Sequence, residues 1–555
     1  MIPRGSSLRI ALAGFSLVAA VLPFAFAGAA ATPSTNDNNK VLTVSLPGPF
    51  NGCTYLDAGA TATSDAILDL IRPSAFLTSS SGNLYGEGGP IVSAELTSLK
   101  PETVVYTIAP HQVWSNFVPF DASDLIAWWE QARAISSVKS DGYRAISTLT
   151  VANGGLSVTA VFATPYAEWN LLFRDVEADG ATSSCAISGL VSRPSLGPYV
   201  VTSATPTRVV LAMNKYWTLS PNRFGHIIIT DSDTLPSAKK SHYASYSLTV
   251  DRAQEQALGA HPSVLSHIGT SSDIEELTFA PNGPLTRQLA VREALSWSLN
   301  RQSMINELFG AVTFSPSVAQ SAIFSQGQSA YPGTSGTGPT GQTATTTTTL
   351  PVPGSPPGLS DCLACALDVL KTAGIQRTAM GLVLSTGAAA SIRVAIGPSA
   401  LDEATAVLVI KRWQDLGFDV TSETVASDEA AAAAAAHDKA DVAIISRPTM
   451  TTPSYVARSW AGPAFVDTYP SGVRSSAITS LYNTAISNFN PVAANATWLS
   501  LDKTLMTSFW VRPLFTAPTL VEWSSSLAQV VGSLSVQGFL DEVTSWTISP
   551  ASTQG

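Results

Sequence analysis

The sequence predicts an α/β protein built on a largely parallel sheet, and three observations carry that reading. Between 392 and 445, short β-branched runs (392–396, 419–423 and 441–445) alternate with helical stretches (402–416 and 428–439) across short connections. Such alternation lays strands parallel and covers them with helices. Hydrophobic residues make up 45% of the 555, including 12 Trp, 13 Tyr and 20 Phe, so the chain can bury a large core. Its length suggests several domains of ordinary size rather than one.

The elements follow in order. Residues 40–46 alternate and are β-branched, as a strand requires. Apolar spacing over 61–77 suits a helix. Residues 104–108 read as a strand and 121–135 as a helix, with Asp121 or Ser123 as its N-cap. Strands are expected at 148–151, 156–162, 199–202 and 208–213. Over 284–309, Ala290, Ala294, Leu295 and Leu299 are spaced for one buried face of a helical pair. The Thr/Pro/Gly-rich tract 333–358 cannot pack a core; it is either a linker between domains or a surface loop. A helix at 362–372 follows it. The alanine run 430–436 reflects helix propensity, not binding.

Charge and termini set the compartment. Charged residues are 13% of the chain and the formal net charge is -10, with no Lys/Arg-rich run. A nucleic-acid partner is therefore excluded, because phosphate neutralisation needs clustered cations. Arg4 and Arg9 precede an apolar run over 10–26, then small residues around Ala27 and Ala31. Residues 1–31 thus read as a secretory signal. An uncleaved anchor is the alternative, weakened by Pro23 and by a run short of a full span. The expected location is periplasmic or extracellular, including the outer face of the cytoplasmic membrane.

Four cysteines in an exported chain suggest disulfides, with three connectivities open. Cys362 and Cys365 form a C-x-x-C. It lacks a second such pair, a histidine at ligand spacing and a preceding thioredoxin-like strand, so a local disulfide opening a helix is favoured over a redox or zinc site. Chemistry is otherwise sparse. The sequence has no G-x-S-x-G, H-E-x-x-H, Walker or G-x-G-x-x-G motif, and its six histidines are scattered. No cofactor and no metal are expected, although a hydrolase with dispersed catalytic residues would leave no local signature.

Seven stretches, in order, resemble the family 5 extracellular solute-binding proteins of ABC importers, the peptide, oligopeptide and nickel group. Tyr106 to Ser115 with Pro119 to Leu125 is similar to the family's strand, Trp-Ser turn and helix start, with Asn116-Phe117 where Asp-Gly is usual. Gly197-Pro198-Tyr199, then Asn214 to Trp217, resemble its Gly-Pro-Tyr and Asn-x-Tyr-Trp segments. Val291 to Arg301 resembles its Arg-x-Ala helix pair, with Asn300 in place of Asp. Leu367 to Gly374, Trp413 to Val420 and Ala440 to Ile444 complete the series. Trp114, Trp217 and Trp297 read as core or turn anchors within these motifs, not as ligand contacts. The motifs carry the fold, and function follows from it by analogy.

The resemblance implies a two-lobed periplasmic-binding-protein-like fold of the large class II type, with lobes that close over a ligand. The first lobe would comprise 41–273 with 511–555, including an inserted subdomain at about 54–170. The second would comprise 274–510, with 333–358 as a surface loop inside it. Cys53 and Cys185 then share the first lobe and are expected to pair, as are Cys362 and Cys365. The family's ligand position maps to 50–57 and 447–455, giving Phe50, Tyr55, Met450 and Tyr455 as apolar walls. Where peptide binders carry an Asp for the ligand amine, this chain has Arg447, which favours an anionic or carbonyl-rich ligand. The implied protein is a monomeric, non-enzymatic substrate-binding subunit that delivers a peptide or other small organic solute to a membrane permease. A secreted sensor or matrix protein on the same fold, or a secreted hydrolase, is the alternative.

Overall fold

The computed structural model describes residues 40–549, apart from 58, 87–88, 136–137, 181–184, 220–223, 232–241, 249–254, 257–262, 311, 313–315, 327, 329, 333–361, 449–451 and 463–468. The expected signal at 1–31, the 333–358 tract and Met450 lie outside the described residues.

Among the described residues, ten strands form the main sheet. In chain order they are β1 (Val41–Leu46), β2 (Tyr199–Thr205), β3 (Arg208–Met213), β4 (His226–Asp231), β5 (Tyr243–Ser247), β6 (Val264–Phe279), β7 (Ser391–Ile396), β8 (Asp419–Thr424), β9 (Val442–Arg447) and β10 (Val511–Ser524). In space they run β8-β7-β9-β6-β10-β5-β1-β4-β3-β2. At one end β7 is parallel to both β8 and β9, as the alternating segment predicts. At the other end β1 is parallel to β4 and β5, whereas β2, β3 and β4 are antiparallel.

The middle corrects the expectation of a largely parallel sheet. β6 and β10 pair antiparallel with each other, β6 with β9 and β10 with β5. These two long strands carry the chain from one end of the sheet to the other and back, so they must run in opposite directions. Their ladder breaks between Thr270 and Ile274, leaving Ser271 to Asp273 out of register. A bulge of this kind bends the strand and re-aims its side chains.

Separate apolar cores flank the crossing strands. One joins Leu277, Val291, Leu295, Trp413 and Ile444 to Leu514 and Phe515 of β10. Another joins Leu42, Val44, Tyr199 and Ile227 to Val521, Phe539 and Trp546. A third, around Tyr106, Trp114, Trp128 and Tyr143, sits under a four-stranded antiparallel sheet (Ile91–Leu99, Glu102–Ile108, Ser157–Phe162, Ile146–Ala152) and the helix Ala122–Ala134. A fourth packs the helices Pro453–Ala461, Ser476–Ile486 and Pro491–Ser508 through Trp460, Tyr482 and Trp498.

Local chemistry explains why the motif residues stand where they do. Asp121 caps its helix by accepting from the Ser123 amide at 2.8 Å, while Asp124 Oδ2 accepts from the Asp121 amide at 3.1 Å, a reciprocal capping box. Asp124 Oδ1 also accepts from Trp114 Nε1 at 3.2 Å, which fastens the Trp-Ser turn to the helix. Asn300, where Asp is usual, caps the helix Arg301–Phe309 by accepting from the Ser303 amide at 2.9 Å. Arg301 donates to the carbonyls of Ala319 and Pro513 at 2.7 and 2.8 Å, and Arg292 lies 3.6 Å from the centroid of Trp510. Arg301 thereby pins the helix pair to β10, and Arg292 pins it to the residue just before that strand. Trp114 is fully buried, while Trp217 and Trp297 are half-buried.

The helix expected at 61–77 spans only Ala62–Asp69. Pro73 removes a donor and biases Arg72 out of the helical region, so the chain turns instead. Gly197 packs into that turn, where a Cβ would lie 2.5 Å from the Leu70 carbonyl oxygen. This close approach is the reason for glycine in the Gly-Pro-Tyr motif. Gly417, at φ 112°, ends the helix Ala400–Leu416 in the left-handed conformation that glycine adopts at no steric cost.

Candidate functional site

A cavity of about 490 Å³ opens where the strands of the two sheet ends terminate. Residues Pro47 to Pro49 follow the end of β1, Leu248 follows β5, and Pro448 follows β9. In open α/β sheets the carboxyl ends of strands at a change of chain direction are where ligands bind. One wall is completed by Thr61 to Thr63 and Asp65 at the start of the helix Ala62–Asp69, by Lys139, and by Val536 and Gln537. The opposite wall has Ser325, Gln328, Asp428, Glu429, Tyr455 and Tyr469. The bulge in β6 supplies Ser272 and Asp273 between them.

The described lining is rich in carboxylates. Burial pushes Asp65 up to about 6, while Lys139 and Arg174 hold it down. Asp273 is likewise pushed up to about 6 by burial, against a hydroxyl donated by Ser272. Asp428 is pushed up to about 8 by burial and by its neighbours Asp402 and Glu429. Behind it, Glu275 is fully buried, and burial with the nearby Asp402 and Asp428 raises it well above the ordinary carboxylate range.

Direct contacts bridge the two walls. The Lys139 ammonium lies 5.9 Å from the ring centroid of Tyr55 and 5.4 Å from that of Tyr455. Arg458 Nε is 2.8 Å from Asp141 Oδ2, and the Ala167 amide donates to the Ile486 carbonyl at 2.7 Å. The Ser454 hydroxyl donates to Glu168. These contacts tie the four-stranded subdomain to the helices Pro453–Ala461 and Ser476–Ile486.

Of the site residues expected from sequence, Tyr455 lines the cavity. Phe50 is buried in the core beneath β1, its amide donating to the Pro206 carbonyl. Tyr55 is buried in the subdomain core with its hydroxyl 2.6 Å from that of Tyr143; it approaches the cavity only through Lys139. Arg447 is 2% exposed, and its Nε donates to Glu276 Oε1 at 2.6 Å. Its guanidinium is paired inside the protein, and Arg447 is not among the described residues that line the cavity. Sequence reasoning missed Asp65, Lys139, Asp273 and the adjacent pair Asp428 and Glu429, which come from four separate segments and have no shared motif.

The cysteines join Cys53 to Cys185 and Cys362 to Cys365. The second pair sits at the start of the helix Leu363–Thr372, with Cys362 as its N-cap. Among the described residues, no helix is long and apolar enough to cross a membrane. The one described group with metal-like proximity contains both sulfurs of the Cys53–Cys185 disulfide, which cannot act as thiolate ligands.

A sheet crossed twice by the chain, with a cavity between its two ends, defines the two-lobed binding-protein class of fold. Solved structures of that class align over nearly the whole chain. A periplasmic EDTA-binding protein, EppA, matches with a TM-score of 0.76 at 19% identity, covering 92% of this chain and 97% of its own. The oligopeptide-binding protein AppA from Bacillus subtilis, solved in complex with a nonapeptide, matches with a TM-score of 0.69 at 12% identity, covering 92% and 100%. The chain belongs to the bacterial extracellular solute-binding proteins, family 5, whose family model (middle region) matches residues 94–467. The oligopeptide-binding protein OppA of Mycobacterium tuberculosis is 26% identical over 323 residues, covering 55% of this chain and 54% of OppA. The chain thus spans about half the length of the curated relatives it matches.

Proposed function

We propose that this protein is the extracytoplasmic substrate-binding subunit of an ABC-type importer. It captures a short peptide or another small organic solute between two lobes and presents it to a membrane permease, without catalysing a reaction. The observation that carries this reading is the cavity of about 490 Å³, lined from both ends of the sheet. That volume is within the roughly 300–1,000 Å³ typical of small-molecule sites, which favours a small solute over a long peptide. Family membership and the relatives' peptide-binding descriptions support the transport role.

The proposed lobes are 41–273 with 511–555, carrying the subdomain at about 54–170, and 274–510. The separate cores on either side of β6 and β10 support two lobes, with Leu514 and Phe515 of the returning segment packed on the second, and the register break at Thr270 to Ile274 lies where the hinge would be. Closure about these two strands would make the contacts that bridge the walls, and a ligand touching both walls shifts the population towards that closed form. The protein would work as an exported monomer.

The test is a thermal-shift screen of solute-stripped protein against short peptides, amino acids, sugars and chelated metals. A genuine ligand raises the melting temperature in proportion to the logarithm of its concentration above Kd. If no solute class shifts the transition, and none changes the radius of gyration, solute capture is refuted.

A further inference from the structure

We propose that the cavity selects solutes of net positive charge, bearing amine or guanidinium groups; this deepens the solute-binding reading and rests on it. The described lining carries Asp65, Asp273, Asp428 and Glu429 against a single cation, Lys139. The ammonium of Lys139 is held between the rings of Tyr55 and Tyr455. The nearby guanidinium of Arg447 is matched by Glu276 at 2.6 Å.

Asp65 gives the independent sign that something is missing. It is 2% exposed and lines the cavity; Oδ2 accepts from Gln537 Nε2 at 3.2 Å, but Oδ1 has no hydrogen-bond partner. A buried acceptor left unpaired is costly, and a donor brought by a ligand would relieve it. Tyr246, Tyr455 and Tyr469 add aromatic surface to the same lining, and ring faces attract cations.

The charges around each acid are consistent with this. Lys139 and Arg174 face Asp65 as cations, and Asp69 and Asp57 as like charges. Asp428 faces Asp402, Glu429 and Asp273, with no cation among its main influences. Its raised pKa has the same origin as that of Asp273: a carboxylate withdrawn from water without a counter-charge. A cationic solute supplies that counter-charge, and its binding expels protons. Affinity therefore rises with pH across the range from about 5 to 8.

Calorimetric titration of the full, solute-stripped chain tests the proposal, with trilysine, spermidine, trialanine and triglutamate as probes. At least one cationic probe should bind roughly tenfold or more tightly than trialanine, with triglutamate weakest. Trilysine binding alone identifies a basic peptide as the ligand class, and spermidine binding alone a polyamine. Glu429→Gln, at a half-buried position, should lower cationic affinity about tenfold while leaving the melting temperature of the empty protein within a few degrees; Asp65→Asn should do the same to affinity. Trialanine or triglutamate binding as tightly as the cationic probes overturns the proposal, and so does no cationic binding up to about 1 mM. In either case a neutral or anionic solute released from the native protein on denaturation would still uphold solute capture, so the two failures are distinguishable.

Discussion

Arg447 and Glu276 show how far a single residue can be read from sequence. A cation at the end of β9, where relatives carry an acid nearby, suggests a ligand anchor. Its partner, however, lies 171 residues away on β6, and only the β6–β9 pairing brings the two together. With the guanidinium 4.9 Å from the Tyr469 ring centroid and both charges buried, the pair acts as part of the wall behind the cavity. Removing one partner leaves the other charged and buried, which costs about 3–5 kcal/mol. Arg447→Ala should therefore lower unfolding stability by that order in a denaturant titration. An effect below about 1 kcal/mol, with affinity for an acidic solute lost instead, would restore Arg447 as a ligand contact. Aromatic residues suit apolar clefts, which makes Phe50 and Tyr55 candidate walls by sequence. Each instead fills a core, since a large ring close to a strand end is as readily buried as exposed.

At the scale of elements, the parallel unit β7–β8–β9 was legible because its strands and helices keep their own periodicities over short connections. The crossing strands were not. β10 is buried along nearly its whole length and contains Pro513 and Pro518, so it shows neither alternation nor an uninterrupted β-branched run. β6 is broken by its bulge and reads as polar over its first half. The sequence motifs marked turns and caps, such as Asp121 and Gly197, whose roles are local. The cavity acids were illegible because topology, not spacing, assembles them. The Cys53–Cys185 bond spans a sequence separation of 132, and the Cys362–Cys365 bond only 3. Replacing both cysteines of the long-range pair by serine should cost about 2–5 kcal/mol, and of the short one only about 1–2 kcal/mol, by chemical denaturation. Equal losses would contradict that ranking. The Arg458–Asp141 and Lys139–Tyr455 contacts join the subdomain to the opposite wall. Arg458→Ala should thus speed ligand release several-fold in a stopped-flow displacement assay, with little change in association; an unchanged release rate would show that these contacts do not hold the closed form.

For the whole molecule, the acids that line the cavity couple pH to stability and to ligand. The folded pKa of Asp65 and Asp273 is about 6 and that of Asp428 about 8, each above the ordinary 3.8. A raised carboxylate pKa stabilises the fold at low pH, and that contribution is lost as pH rises through the folded value. The empty protein should accordingly melt at progressively lower temperature between about pH 5 and pH 8, and a bound cationic solute should flatten or reverse that slope. A melting temperature that climbs with pH in the empty protein would contradict the burial of uncompensated acids. If the cavity between the sheet ends holds a small solute, native mass spectrometry of the purified chain detects it. Ser272 lies in the bulge and lines the cavity, so Ser272→Trp should fill the space. The wild type should carry a small-molecule mass excess that disappears on denaturation and is absent from Ser272→Trp. An equal excess in the variant, or none in the wild type after incubation with a metabolite extract, would contradict the account.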